Sequence, residues 1–189
     1  MKIQKKVLTI ILLIVVLFLI SEVSKVYAVM SPTHPNEIRY SRGVSNVCYV
    51  VNSSASAYTS YVNSAANGWV HTHYGDNPIY MTAVSSTVGS HMDIYADNLS
   101  GRYEEYYAYT TIWNYNANQL SFSGKENYWY AEIMINKNIK QSTYILTHEM
   151  GHCFGLTDNY NVDSVMYYCD AGNAKTVQYC DNETINYLY

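Results

Sequence analysis

Eleven consecutive residues carry the side chains best suited to metal chemistry: His148-Glu149-Met150-Gly151-His152-Cys153-Phe154-Gly155-Leu156-Thr157-Asp158. Histidines four apart project from one face of a helix. Two neutral imidazoles on that face can grip one metal ion. Glu149 lies beside the first histidine, where a carboxylate serves as general base to a water activated by the metal. Gly155 follows His152 by three residues and lets the chain leave the helix at positive φ and double back. Asp158 then arrives as a candidate third ligand. Zinc takes carboxylate oxygen as well as imidazole nitrogen, and a catalytic zinc keeps its fourth position for water.

The extended pattern H-E-x-x-H-x-x-G-x-x-D is followed by Ser164-Val165-Met166-Tyr167-Tyr168. On these residues the chain resembles the metzincin clan of zinc metalloproteases, in which a tight methionine-bearing turn lies beneath the metal. Asp158 stands where most metzincins have histidine, which is similar to the small secreted snapalysin-type bacterial proteases. The resemblance implies catalytic Zn2+ held by His148, His152 and Asp158, with Glu149 as general base for peptide hydrolysis and Met166 under the site. In the astacin and serralysin branches a tyrosine placed like Tyr168 steadies the oxyanion. An idle Tyr168 is the alternative in a chain with 22 tyrosines. A protein or peptide substrate would add to the fourth strand as an antiparallel neighbour along the cleft. Matrixin relatives suggest two further expectations: Ca2+ bound through Asp97, Glu104 and Glu105, and a second metal site at His71, His73 and His91. A solvated loop and ordinary surface or capping roles are the alternatives. The rival function is a non-catalytic secreted binding protein on a protease fold, and the retained Glu149 argues against it.

These residues need elements to hold them. The helix carrying both histidines is expected over 141–154, with Gln141 or Ser142 at its start. Strands are expected over 44–52, which is β-rich, 79–84, 91–96, where apolar residues alternate, 106–113 and 130–136. Residues 114–127 read as a loop. Ser53 or Ser54 can cap a second helix, in which Ala57, Tyr61, Ala65 and Trp69 form an apolar stripe. Trp69 is expected to lock that helix onto the sheet. The order strand, helix, four strands, helix and an irregular C-terminal part is an α+β pattern. It resembles the metzincin catalytic domain: a twisted mixed five-stranded sheet, two long helices, and an active-site helix followed by the methionine turn.

Residues 1–28 read as a secretory signal. Lys2, Lys5 and Lys6 precede an apolar run from Val7 to Ile20, and Val26-Tyr27-Ala28 offers a cleavage site. Residues 29–189 would then form one catalytic domain, secreted and monomeric. The first 28 residues hold four of the 11 Lys and Arg and one of the 15 Asp and Glu, so the remainder carries a net charge of about −7. That charge argues against nucleic acid and against anionic membrane surfaces. Four cysteines in a secreted chain allow two disulfides in three connectivities. The favoured pairs are Cys169 with Cys180, bracing the floor of the site, and Cys48 with Cys153; buried free thiols are the alternative.

Overall fold

Apolar alternation builds the sheet. In a computed structural model that describes residues 38–189 apart from Lys125 and Asp170, strands β1 (Val47–Val51), β2 (Met81–Ala83), β3 (Met92–Asp97), β4 (Ala108–Trp113), β5 (Gln119–Leu120) and β6 (Tyr130–Asn136) form one sheet. Its order is β2-β1-β3-β6-β4-β5. The first four positions pair in parallel, and β4 runs antiparallel to both β6 and β5. Met92, Ile94 and Ala96 of β3 and Ala131, Ile133 and Ile135 of β6 are all buried. They form one side of the core, as the period of two requires.

Among the described residues three α-helices accompany the sheet: α1 (Thr59–Val70), α2 (Thr143–Cys153) and α3 (Tyr179–Leu188). A 3-10 segment, Ser53–Tyr58, leads into α1. Neither Ser53 nor Ser54 caps it; Ser54 Oγ accepts from the Ala96 amide instead, 3.1 Å away, tying the segment to β3. The buried stripe of α1 is Val62, Ala65, Ala66 and Trp69, while Tyr61 is exposed. The expected stripe was thus rotated at its start, because the 3-10 turns shift the phase of Ala57 relative to the α-helix. Trp69 packs on α2. Its indole donates to Thr147 O at 2.8 Å, and its ring meets Phe154 edge-on.

Expected strand positions match the observed ones, with a sixth added. β5 has two residues and pairs only with Ile112 and Trp113, inside the expected loop. The third helix was also unforeseen. Its sequence, YCDNETINYL, is mostly polar. Tertiary bonds hold it: Asn182 Nδ2 donates to the carbonyls of Tyr74 and Asp76, and Tyr189 Oη donates to Phe154 O at 3.0 Å.

The expected disulfides are absent: Cys48, Cys153, Cys169 and Cys180 are all free thiols. Alternation explains the first pair. Tyr49 faces α1, donating to Asn63 at 2.9 Å, so its neighbour Cys48 points to the opposite side of the sheet from α2, which carries Cys153. Cys180 lies against Asn161 and the Asp163 carbonyl, and burial pushes its thiol up to about 12. The proposed secretory signal lies outside the described residues. Among the described residues no helix is long and apolar enough to cross a membrane.

Candidate metal centre and cleft

The ligand helix begins at Ser142, whose Oγ accepts from Ile145 N. Just before it, Gln141 donates from Nε2 to Tyr107 O, Asn136 O and Ile139 O. That amide fixes the start of α2 beside the start of β4. At its other end α2 closes in a Schellman turn: Leu156 N donates to Gly151 O and Gly155 N to His152 O, both at 3.0 Å. Gly155 has φ +91°, and a Cβ there would lie 2.6 Å from Ile38 O. Glycine is therefore required both by conformation and by space.

The turn also orients a ligand. His152 Nδ1 lies 2.8 Å from Leu156 O, and His148 Nδ1 lies 2.9 Å from Val165 O. A carbonyl only accepts, so each Nδ1 carries the hydrogen and each Nε2 presents a lone pair. The two Nε2 atoms lie 3.2 Å apart. Asp158 Oδ1 lies 3.1 Å from His148 Nε2 and 3.5 Å from His152 Nε2. Three electron-rich atoms facing one another at this range could hold a cation between them. Donors about 2.0–2.1 Å from a tetrahedral zinc are spaced about 3.3 Å apart, which the three observed separations match. The donor set fits zinc. Among the described residues it is also the sole grouping of His, Cys, Asp and Glu suited to a metal. His71, His73 and His91 do not converge, nor do Asp97, Glu104 and Glu105, so the second metal site and the calcium site are not formed. His91 Nδ1 accepts from Cys48 N instead, at 3.2 Å. The loop expected to hold calcium is held by Asn136, whose buried amide bonds Leu99 N, Asn138 N, Glu104 O and Tyr106 O.

Electrostatics follow the same triad. Burial works against a charged His148. The Asp158 hydrogen bond, Glu149 and the Val165 carbonyl outweigh it and raise its affinity for a proton above the ordinary imidazole. Burial likewise opposes the Asp158 charge, but both histidines hold its carboxyl well below the usual carboxylate range.

The segment after the helix is stitched into a floor. Asn159 N donates to Met166 O at 2.9 Å and Tyr168 N to Asn159 O at 3.0 Å. Met166 is fully buried under α2, and a Cβ on Gly151 would collide with its sulfur. Sequence reasoning missed the brace beneath this floor. Asp181, on α3, accepts from Ser164 Oγ at 2.5 Å, Val165 N at 3.0 Å and Gln178 N at 2.8 Å. Its one sequence signal was its place as third residue of a helix with Gln178 at the cap.

Around the triad lies a cleft of about 650 Å3. Its walls include Tyr107 to Thr110 of β4 and its approach, Phe122, Tyr144, Tyr167 and Tyr168. Tyr168 is half exposed, its ring against those of Tyr160 and Tyr167. β4 is not the edge strand over its whole length, because β5 covers Ile112 and Trp113. Asn136 N donates to Tyr107 O, so strand alternation turns the backbone groups of Ala108 and Thr110 away from β6, toward the uncovered stretch. Glu149 is buried beside this stretch, with Thr110 Oγ1 2.7 Å from its Oε2.

No protein-family model matches the chain, and no curated protein does. Among solved structures it is similar to high choriolytic enzyme 1, a hatching enzyme zinc-protease from Oryzias latipes (medaka fish). Identity is 16%, the TM-score is 0.38, and the match covers 65% of this chain. The chain spans about half the length of that protein, 50% being covered.

Proposed function

We propose that this protein is a secreted zinc-dependent endopeptidase of the metzincin type. One observation carries the reading: three lone-pair donors at tetrahedral zinc spacing, with the Glu149 carboxylate beside them, face a cleft bordered by an uncovered strand. His148, His152 and Asp158 would hold the ion. When bound, zinc supplies Lewis-acid chemistry, making water acidic near neutral pH and polarising a carbonyl. The chain's own residues do the rest. Ala108 and Thr110 offer main-chain groups to an extended peptide, fixing its register. Glu149 takes the proton of the attacking water and delivers it to the departing amine. Tyr168, on the cleft wall, donates its phenol hydrogen to the oxyanion that develops on the substrate. The leading segment 1–28 directs secretion, and the enzyme acts as a monomer on unfolded or loop-rich protein.

The test is degradation of an unfolded generic protein by zinc-loaded residues 29–189, with Glu149→Ala beside it. The natural sequence should cleave. The variant should keep its zinc and be slower by on the order of 10²- to 10⁴-fold. Equal cleavage by both would remove Glu149 as base, and no cleavage by either would remove the enzyme.

A further inference from the structure

The cleft contains one side chain that none of the motif residues explains. Thr110 lies on β4 between Ala108 and Ile112, both buried. Period two therefore aims its side chain at α2. Its hydroxyl meets a single residue twice, lying 2.7 Å from Glu149 Oε2 and 3.0 Å from Glu149 O. The buried side chain of Cys153 lies against the same hydroxyl. A glutamate side chain otherwise moves about three torsions and loses on the order of 1.5–2 kcal/mol of rotamer freedom when fixed. Threonine is branched at Cβ and has few rotamers of its own. The hydroxyl has one hydrogen; given to Oε2, the nearer of the two acceptors, it holds that carboxylate in one orientation.

We propose that Thr110 is the positioning residue of the general base. Its hydroxyl occupies Oε2 and leaves Oε1 for the reacting proton. The same residue turns its main-chain groups toward the uncovered stretch of β4, so the strand that sets a peptide's register also aims the base. The inference rests on the endopeptidase reading of the site. It is independent of the ligands, because Thr110 touches none of the three.

The experiment compares the zinc-loaded natural protein with Thr110→Val and Thr110→Ser. Valine keeps the shape and removes the hydroxyl; serine keeps the hydroxyl. Kinetics on an unfolded substrate are measured together with zinc affinity by chelator competition. For Thr110→Val, kcat should fall by about 100-fold, the scale of a misplaced catalytic group. KM should stay within about twofold, since substrate pairing uses main-chain groups. Zinc affinity should not change, and Thr110→Ser should return most of the lost kcat. An undiminished kcat in Thr110→Val would overturn the proposal. So would a loss that serine fails to restore, which would mark a packing role, or a parallel loss of zinc affinity. A natural protein that holds zinc and cleaves nothing would overturn the endopeptidase reading and this inference together, whereas equal rates for natural protein and valine variant would overturn this inference alone.

Discussion

Asp181 offers the most demanding test of how the site is held. Ser164 Oγ already accepts from Asn159 Nδ2 at 2.9 Å and Met166 N at 3.0 Å, so its one hydrogen must go to Asp181 Oδ1. Asp181 Oδ2 receives the amides of Val165 and Gln178. Asp181→Asn keeps the shape and can keep those two amides on its single oxygen. Its NH2 then confronts a hydroxyl that needs an acceptor, in a place where Ser164 and Val165 are fully buried. A hydrogen bond to a charged group contributes about 1.5–3 kcal/mol, and an unsatisfied buried group costs about 1–3 kcal/mol. Against this, burial holds the Asp181 carboxyl above the usual carboxylate range despite its three donors. Removing the charge therefore recovers part of that burial cost. The net expectation is a loss of about 2–3 kcal/mol, which lowers Tm by about 4–12 °C in a domain of this size. A second readout separates the site from the fold. Val165 O orients His148, and outer partners of metal ligands are worth about 10- to 100-fold in metal affinity. Calorimetry of the metal-free protein measures the first effect and chelator competition the second. A variant with unchanged Tm and zinc affinity within about twofold would refute the idea that Asp181 carries the floor of the site.

Gly151→Ala should destabilise by about 1–3 kcal/mol in thermal melts, because the new methyl must displace Met166 from a packed core; an unshifted melt would show that Met166 has room to move. Tyr168→Phe should lower kcat by on the order of tenfold or more with KM nearly constant if the phenol has the proposed oxyanion role; equal kcat would make Tyr168 a wall residue only. Zinc affinity should fall with pH by about tenfold per unit below the raised His148 value, since zinc must displace that proton. The sign is set by the folded state. The protonated His148–Asp158 pair stabilises the metal-free protein fully below the ordinary histidine value of about 6.5, and this is lost as pH rises through the raised one. Metal-free Tm should therefore show a contribution that declines with rising pH while zinc affinity grows, and a zinc affinity flat in pH would contradict the coupling.

The candidate metal grouping was legible because its grammar is local. His148, His152, Gly155 and Asp158 lie within one helix and its exit, where spacing alone dictates geometry. The sheet was legible because alternation in β3 and β6 is a physical requirement of a one-sided core. What stayed hidden depends on distant partners. β5 is two residues long and has no period of its own. α3 is helical through its capping box and through bonds to residues over 100 positions away. Asp181 and Thr110 bear on the site across 16 and 39 positions, and no short motif announces a carboxylate or hydroxyl acting at such range. The cysteines misled because compartment suggests disulfides only where strand faces bring thiols together, and Cys48 faces away.

The brace under the methionine turn also sets an order of events. Asp181 follows Val165 by 16 residues. At ribosomal speeds of about 5–20 residues per second, it appears roughly one to three seconds later. All three ligands and Glu149 are thus present in the growing chain while the Val165 carbonyl that aims His148 still lacks its support. On this reading the candidate metal centre would be complete only once the C-terminal helix docks. If the proposed hydrolytic function holds, a site finished last cannot act on the chain that is still building it.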